Sequence, residues 1–400
     1  MTQVDERINN PISSSELERR WTAVRNGMRK AEMDALVVQG ANGYAGGSGY
    51  FRWFTGKPAA NTYPQTIIFP GDGLITLVHN GERGGETTLE GFNPAHPGVG
   101  RRLTTPSFPA VSYTGGYDAE IIAREIRKSG FRRVGLVGAS GMYHGFAAGL
   151  KDLLPQGVLS DATELVDGIK AVKSSEEIEW IRRAAAMQDE IMAKIGEYVR
   201  PGMRDFEVMA YAQYLGQLAG SETGYFIGSS APKGQAANPV HKPYHGRRIG
   251  EGDMLLFQAE NSGPGGFFVH LGRVFVFGKA WPELVDSFGA ALEAREHTLG
   301  MLKPGASCRE LFAAHNAHMR SRGFPEERRL YAHGQGYDLV ERPLIRDDEP
   351  MAIAANMNLG IHTHPSASNQ RYFTATDNFL VHADGSVERL HRTPERIFEL

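Results

Sequence analysis

Fourteen histidines and a single cysteine, Cys308, set the chemical possibilities of this 400-residue chain. Three histidines sit where the local sequence suggests work. His241 stands six residues before Arg247, with Gly252-Asp253 just beyond. His333 lies in Ala332-His333-Gly334-Gln335-Gly336, where the flanking glycines let backbone pack closely. His362 follows Gly360, and His364 two residues on would share its strand face. Imidazole has the unperturbed pKa best suited to taking and returning a proton near neutrality. Glu260 lies two residues from Gln258, so the two side chains could face one side of a strand. A buried carboxylate base and a salt-bridged structural glutamate are both consistent with that spacing. Arg342, in Glu341-Arg342-Pro343, offers a guanidinium fork suited to a carboxylate. The alternative for Arg342 is an ion pair with Glu341 or Asp347. His245 reads as a solvated loop histidine.

These residues need elements to hold them. Ser15 is a candidate cap for a first helix carrying Leu17, Trp21, Val24 and Met28 at helical spacing. Ala35–Val38 reads as a short buried strand. Thr66–Phe69 and Leu74–Val78 flank Pro70-Gly71-Asp72-Gly73 as a hairpin. An amphipathic stretch, Ala119–Lys128, precedes a strand at Val134–Val137. Alternating helices and strands of this kind predict an α/β domain. Ser174 and Glu177 then form a capping-box pattern before Ile178, Ile181, Ala184, Ala185 and Ile191. The domain boundary falls just before it, giving domains 1–168 and 169–400. Beyond it the spacing predicts helices over Asp205–Ala219, Trp281–Leu302 and Cys308–Arg322. A β-rich block, Met254–Phe277, lies between the first two, and further β segments follow the third.

The composition excludes several classes. Hydrophobic residues make up 41% of the chain and charged ones 22%, as in soluble globular proteins, and the formal net charge is −3. Nothing argues for a nucleic-acid or polybasic membrane partner. One cysteine cannot build an internal disulfide framework, which suits a reducing cytosol. The polar, acidic start, with Asp5 and Glu6, lacks the form of a signal peptide. The expectation is a cytoplasmic protein with a small-molecule substrate.

Several patterns line up in order with one family. Asp34-Ala35-Leu36 with Phe51-Arg52-Trp53-Phe54-Thr55-Gly56 comes first, then Ile169–Ser174 with Glu176-Glu177-Ile178. Gly252-Asp253 before an apolar strand, Leu302-Lys303-Pro304-Gly305 and Ala332–Gly336 follow. Together they resemble the creatinase / aminopeptidase P / methionine aminopeptidase family (M24, the pita-bread fold). The resemblance implies a creatinase-type N-terminal α/β domain and a C-terminal pita-bread domain with a curved antiparallel sheet. It also implies a homodimer in which the N-terminal domain covers the neighbouring subunit.

The family's peptidases bind two divalent ions through Asp, Asp, His, Glu and Glu. Carried over one at a time, those positions are here Gln258, His270, His333, His362 and Thr376. The turn Gly263–Gly266 is one residue longer than usual, which leaves the register at His270 open by one position. No carboxylate remains in this set to balance two dications. The spacing of His241 matches both the substrate-side histidine of the peptidases and the catalytic histidine of creatinase, the metal-free branch. The two glutamates that would hold a cationic guanidinium correspond to Gly272 and His362, which makes creatine itself unsuited as substrate.

The resemblance thus implies a metal-independent hydrolase of a non-peptide C–N bond in a small neutral or anionic molecule, with no cofactor. His241 would be the general acid and base, near His270, His333, His362 and Glu260. Arg342, Gln258, Thr376, Arg52 and Tyr63 would contact substrate. Two alternatives stay open. His270, His333 and His362 could hold one metal ion in a hydrolase or lyase, since the family also contains a metal-using lyase. Or the chain could be a catalytically inactive binding module of this fold.

Overall fold

The structure, a computed structural model, describes residues 12–40, 49–59, 63–237, 246–363 and 375–400. The chain divides into two compact units, Met1–Lys170 and Ala171–Leu400.

In the first unit the elements run α1 (Ser14–Lys30), β1 (Ala35–Gly40), α2 (Gly49–Thr55), β2 (Gln65–Pro70), β3 (Ile75–Asn80), β4 (Glu86–Thr88) and β5 (Val99–Thr105). Then come α3 (Tyr117–Lys128), β6 (Val134–Val137), α4 (His144–Leu153), β7 (Leu159–Asp161) and α5 (Thr163–Lys170). The strands form a mixed sheet in the order β4-β5-β3-β2-β1-β6-β7. The hairpin expected around Pro70–Gly73 is present as antiparallel β2–β3, and β1 is continued by parallel β6. The first helix is capped two residues earlier than expected. Ser13, not Ser15, accepts the Glu16 N–H at 3.1 Å, because a capping oxygen must lie outside the helix to reach the N–H groups of its first turn.

The second unit opens on α6 (Ser175–Tyr198), which carries the expected capping box. The Ser174 hydroxyl accepts the Glu177 N–H at 3.1 Å, and Glu177 accepts the Ser174 N–H at 2.8 Å. There follow α7 (Asp205–Leu218), β8 (Gly224–Ala231), β9 (Met254–Ser262), β10 (Phe268–Val276), α8 (Pro282–Leu299) and α9 (Cys308–Ser321). The chain closes with β11 (Ala332–Gly334), β12 (Glu341–Ile345), β13 (Asn358–Thr363), β14 (Ala375–Val381), β15 (Val387–Arg389) and β16 (Phe398–Glu399). The main path of the sheet is β12-β11-β13-β14-β10-β9-β8, with antiparallel neighbours throughout. This is the mixed α/β architecture with a curled antiparallel sheet that the family resemblance implies. Among the described residues no helix is long and apolar enough to cross a membrane.

Alternation along the strands decides which side chains can do chemistry. On β9, Leu255, Phe257 and Ala259 enter an apolar layer with Ile191 and Ile195 of α6 and Val208 of α7, and β10 adds Leu271 and Phe275. On the other half of the sheet Ala332, Leu359, Ile361, Phe379 and Val381 pack with Leu311 and Phe312 of α9. Successive side chains point to opposite faces. Helices α6, α7 and α9 lie against these residues. Of the intervening ones, Met254, Leu256, Val274 and Val276 pack with Leu284, Phe288 and Ala291 of α8, and the others, on five strands, are left for polar contacts.

Candidate active site

Those intervening residues include six of the positions singled out from the sequence. Gln258 pairs with Gly272, Glu260 with His270, Gly272 with Thr376, Thr376 with His362, and His333 with Gly360. Residues directly opposite in a ladder share a face, so Gln258, Glu260, His270, His333, His362 and Thr376 all project from one face. The β9–β10 ladder runs from Phe268 to Val276 without a register shift. That puts His270 on the site face despite the long turn before it.

Three of the six converge closely. The rings of His270, His333 and His362 make a nearly equilateral triangle, with centroids 5.1, 5.0 and 5.1 Å apart. His362 Nε2 lies 3.0 Å from His333 Nε2 and 3.3 Å from His270 Nδ1. The Nδ1–H of His333 donates to its neighbour's carbonyl, Gly334 O, at 2.9 Å, which leaves the lone pair on Nε2, facing His362. Burial lowers the pKa of His270 well below the ordinary value and brings that of His333 to about 4, so both rings are neutral at pH 7.

Beside them, the Gln258 amide donates to the Glu260 carboxyl, and the Thr376 hydroxyl donates to Gln258 Oε1 at 3.3 Å. The donated bond to Oε1 fixes the amide with its NH2 toward Glu260. Burial raises the pKa of Glu260, against hydrogen bonds from Tyr225 and Gln258.

A polar network that the sequence reading missed supports the triangle. Asn378 Oδ1 accepts the backbone N–H of His270 at 2.6 Å, and Asn378 Nδ2 reaches Gln335 Oε1 at 2.7 Å and Asn358 Oδ1 at 2.9 Å. All three amides are buried. The signal was available: Asn378 lies two residues past Thr376 and Gln335 two past His333, the spacing that keeps a side chain on one face. Gly360 belongs to the same floor. A Cβ there would lie 2.8 Å from Gln335 Oε1 and 3.4 Å from His270 Nδ1. Gln335 is fixed by Leu339 O and Asn378, so it has little room to yield. Gly360→Ala is expected to cost about 1–3 kcal/mol as an overpacked site, measured as a lower urea midpoint with unchanged slope. A variant as stable as the parent would mean that the floor is looser than these distances.

Arg342 lies on β12, the strand beside β11, two residues from Leu344, which pairs with His333. The guanidinium of Arg342 on β12 is gripped by both carboxylate oxygens of Glu349, with Nε at 3.1 Å. The ion pair weighed for Arg342 thus has a different partner from the expected Glu341 or Asp347. Glu341 is taken by Lys173 at 2.8 Å, both buried. Arg52 sits on α2 and Tyr63 before β2, in the first unit. The Tyr63 ring is partly exposed and meets Phe108 edge-on at 5.8 Å. His241, His245 and His364 lie outside the described residues.

Comparison with known proteins gives the family. The profile described as Metallopeptidase family M24 matches residues 179–383. The chain belongs to this family. It is 25% identical over 196 residues to the probable dipeptidase PepE of Mycobacterium bovis, a match covering 49% of this chain and 50% of that protein. The chain thus spans about half the length of that curated relative. It is 24% identical over 391 residues to the hydrolase/peptidase y4tL of Sinorhizobium fredii, covering 96% of each. Its fold superposes on a prolidase from Thermococcus sibiricus with a TM-score of 0.77, at 19% identity, covering 96% of this chain and 99% of that one.

These matches correct the functional expectation. A creatinase-like, metal-independent hydrolase of a non-peptide C–N bond is overturned by a family of metallopeptidases whose matched members are named dipeptidase and prolidase. The expectation rested on the missing carboxylates together with His241. The spacing of His241 to Arg247 and Gly252-Asp253 is common to the peptidases and the metal-free branch, so it could not separate them.

The side chains present do not fit the carboxylate-bridged pair of dications that the family resemblance implies. Gln258, His270, His333, His362 and Thr376 contain no carboxylate. Asp377, next to Thr376 in sequence, is committed to Arg273 at 2.8 Å, Arg295 at 3.2 Å and Arg389 at 3.3 Å.

Proposed function

We propose that this chain hydrolyses a peptide bond in small peptides, at the face carrying Glu260 and the three histidines. The observation that carries the reading is the convergence of six polar side chains on one face of the curled sheet, in a chain of the M24 family. The names of its relatives supply the bond type.

Glu260 is the group proposed to move the proton. Its carboxyl stands directly across the ladder from His270. Its amide neighbour Gln258 is itself held by Thr376, which fixes the direction of the contact. In the reaction, water oxygen bonds to the peptide carbonyl carbon and its proton passes to the Glu260 carboxylate. The C–N bond then breaks, and Glu260 returns the proton to the leaving nitrogen. The products are a carboxylic acid, which then passes its remaining proton to the amine or to water, and an amine, and Glu260 ends as it began. Thr376 and Gln258 keep the carboxylate pointed at this position.

The test is to incubate the purified full-length chain with a panel of dipeptides and tripeptides, proline-containing ones among them, and to follow new amino termini by mass spectrometry. Turnover of at least one class of small peptide is expected. If no peptide of the panel is cut, with or without added divalent ions, the reading is wrong.

A further inference from the structure

The mismatch between this site and a carboxylate-bridged metal pair has a positive content. We propose that His270, His333 and His362 form a binding site for one divalent ion of the nitrogen-preferring kind, such as Zn(II), Co(II) or Fe(II), in place of two oxygen-bound ions.

The Nδ1–H of His333 is spent on Gly334 O, so His333 Nε2 presents a lone pair. His362 Nε2 faces that lone pair at 3.0 Å and His270 Nδ1 at 3.3 Å. If His362 carries its proton on Nε2, one in-plane N–H has to serve two nitrogens in different directions. If it does not, two lone pairs oppose each other at 3.0 Å. One N–H on His362 cannot point at both nitrogens at once, and the two contacts converge on a single point between the rings. A cation at the centre accepts all three lone pairs at once.

Distances agree. Zn–N bonds of about 2.0–2.1 Å on a tetrahedral ion separate two ligand nitrogens by roughly 3.3–3.4 Å. The separations of His362 Nε2 from the other two nitrogens, 3.3 and 3.0 Å, lie at and just under that span. The three candidate ligand atoms all lie within 4.8 Å of one another, and all three residues are buried. Among the described residues this is the one cluster of three or more His, Cys, Asp or Glu with such geometry.

The donor chemistry selects the ion. Mg(II) and Ca(II) seek oxygen ligands, preferably carboxylates, and the three converging groups offer none. Imidazole suits Zn, Fe, Co, Ni and Cu. Two ions would put four positive charges among neutral rings with Glu260 as the adjacent carboxylate, against the cost of buried unpaired charge. Three protein ligands leave a fourth position open, as catalytic rather than structural sites do. Support from behind is also present, in Gly334 O on His333 and Asn378 on the His270 backbone.

The experiment reads binding without substrate, so it stands or falls separately from the peptidase reading. The full-length protein is stripped with chelator and dialysed against Zn(II), Co(II), Mn(II) or Mg(II). Bound metal is counted by plasma mass spectrometry, and the Co(II) form is examined by visible absorption. The expected result is one Zn or Co per chain, intense Co(II) d–d bands of low coordination number, and no retained Mg. His333→Gln and His362→Gln should each weaken Zn binding by more than the roughly 10–100-fold that changes outside a ligand set cost. X-ray absorption on the Zn form should show imidazole scattering from about three rings, which guards against variants that fail to fold. Two ions per chain, no Zn retained, or a Zn site without imidazole scattering would each overturn the proposal. One ion bound with no peptide cut would leave it standing while removing the hydrolase reading.

Discussion

Glu260→Gln is expected to lower kcat on the best peptide substrate by about 10²–10⁴-fold, the range a positioned acid–base group contributes. The substitution is nearly isosteric, and the amide can still meet Gln258 and Tyr225. What it removes is the capacity to take a proton from water and return it to the leaving nitrogen. Glu260 is buried, and its carboxyl is lifted by that burial. A neutral amide there relieves a buried charge, so the folded chain should be at least as stable as the parent. The expected signature is a fall in kcat with little change in KM or in the urea midpoint. Thr376→Val serves as the companion. It deletes the hydroxyl that fixes the Gln258 amide at 3.3 Å and should cost less, within about tenfold, because Glu260 itself remains. If Glu260→Gln keeps more than a tenth of parental kcat, the proton passes through another group. His241 is then the first to test, on the strength of its sequence spacing alone.

Most of what was legible in the sequence followed from period-two alternation. Gln258 and Glu260 share a face because they lie two apart on β9, and His362 and Thr376 meet because they are direct partners in the β13–β14 ladder. The capping box at Ser174 and the strand at Val134–Val137 are local signals, and both appear where the local sequence puts them. Legibility failed where a non-local partner decides. The last carboxylate to claim Arg342 is Glu349, seven residues on, rather than its sequence neighbour Glu341, which Lys173 holds instead. Ser13, Ser14 and Ser15 form a run in which composition cannot say which one caps. The triangle of imidazoles needed His333 on β11, His362 on β13 and His270 on β10 to be neighbours in space. The strand order supplies that, since β13 pairs with β11 and with β14, and β14 pairs with β10. Substituted ligand positions were read from the resemblance. That the substitutes converge on each other to 3.0–3.3 Å is a fact of packing.

Asp377→Asn is expected to destabilise the second unit by about 3–5 kcal/mol, the cost of breaking a buried charge pair by removing one partner. Asp377 is fully buried on β14. Its carboxylate takes two bonds from Arg273, at 3.0 and 2.8 Å, one from Arg295 at 3.2 Å and one from Arg389 at 3.3 Å. Burial alone would push its pKa up, but Arg273, His391 and Arg295 hold it below the ordinary carboxylate value. The group is therefore ionised in the folded chain. Asparagine keeps the size and can still accept a hydrogen bond, so the loss reads the charge and not a cavity. Arg273 and Arg295 are themselves buried and would face each other with no carboxylate between them except Glu395, which reaches Arg295 from a more exposed position. Urea unfolding followed by tryptophan fluorescence should show the midpoint fall. The effect should also reach the site, because Asp377 separates Thr376 and Asn378, which project from the opposite face and hold Gln258 and the His270 backbone. Bound Zn should accordingly be lost at lower urea in Asp377→Asn than in the parent. A variant within 1 kcal/mol of the parent, by the approximate scale of an exposed ion pair, would mean that the three guanidiniums find other acceptors, among them the backbone oxygens of Thr376, Thr393 and Pro394 that Arg273 already touches.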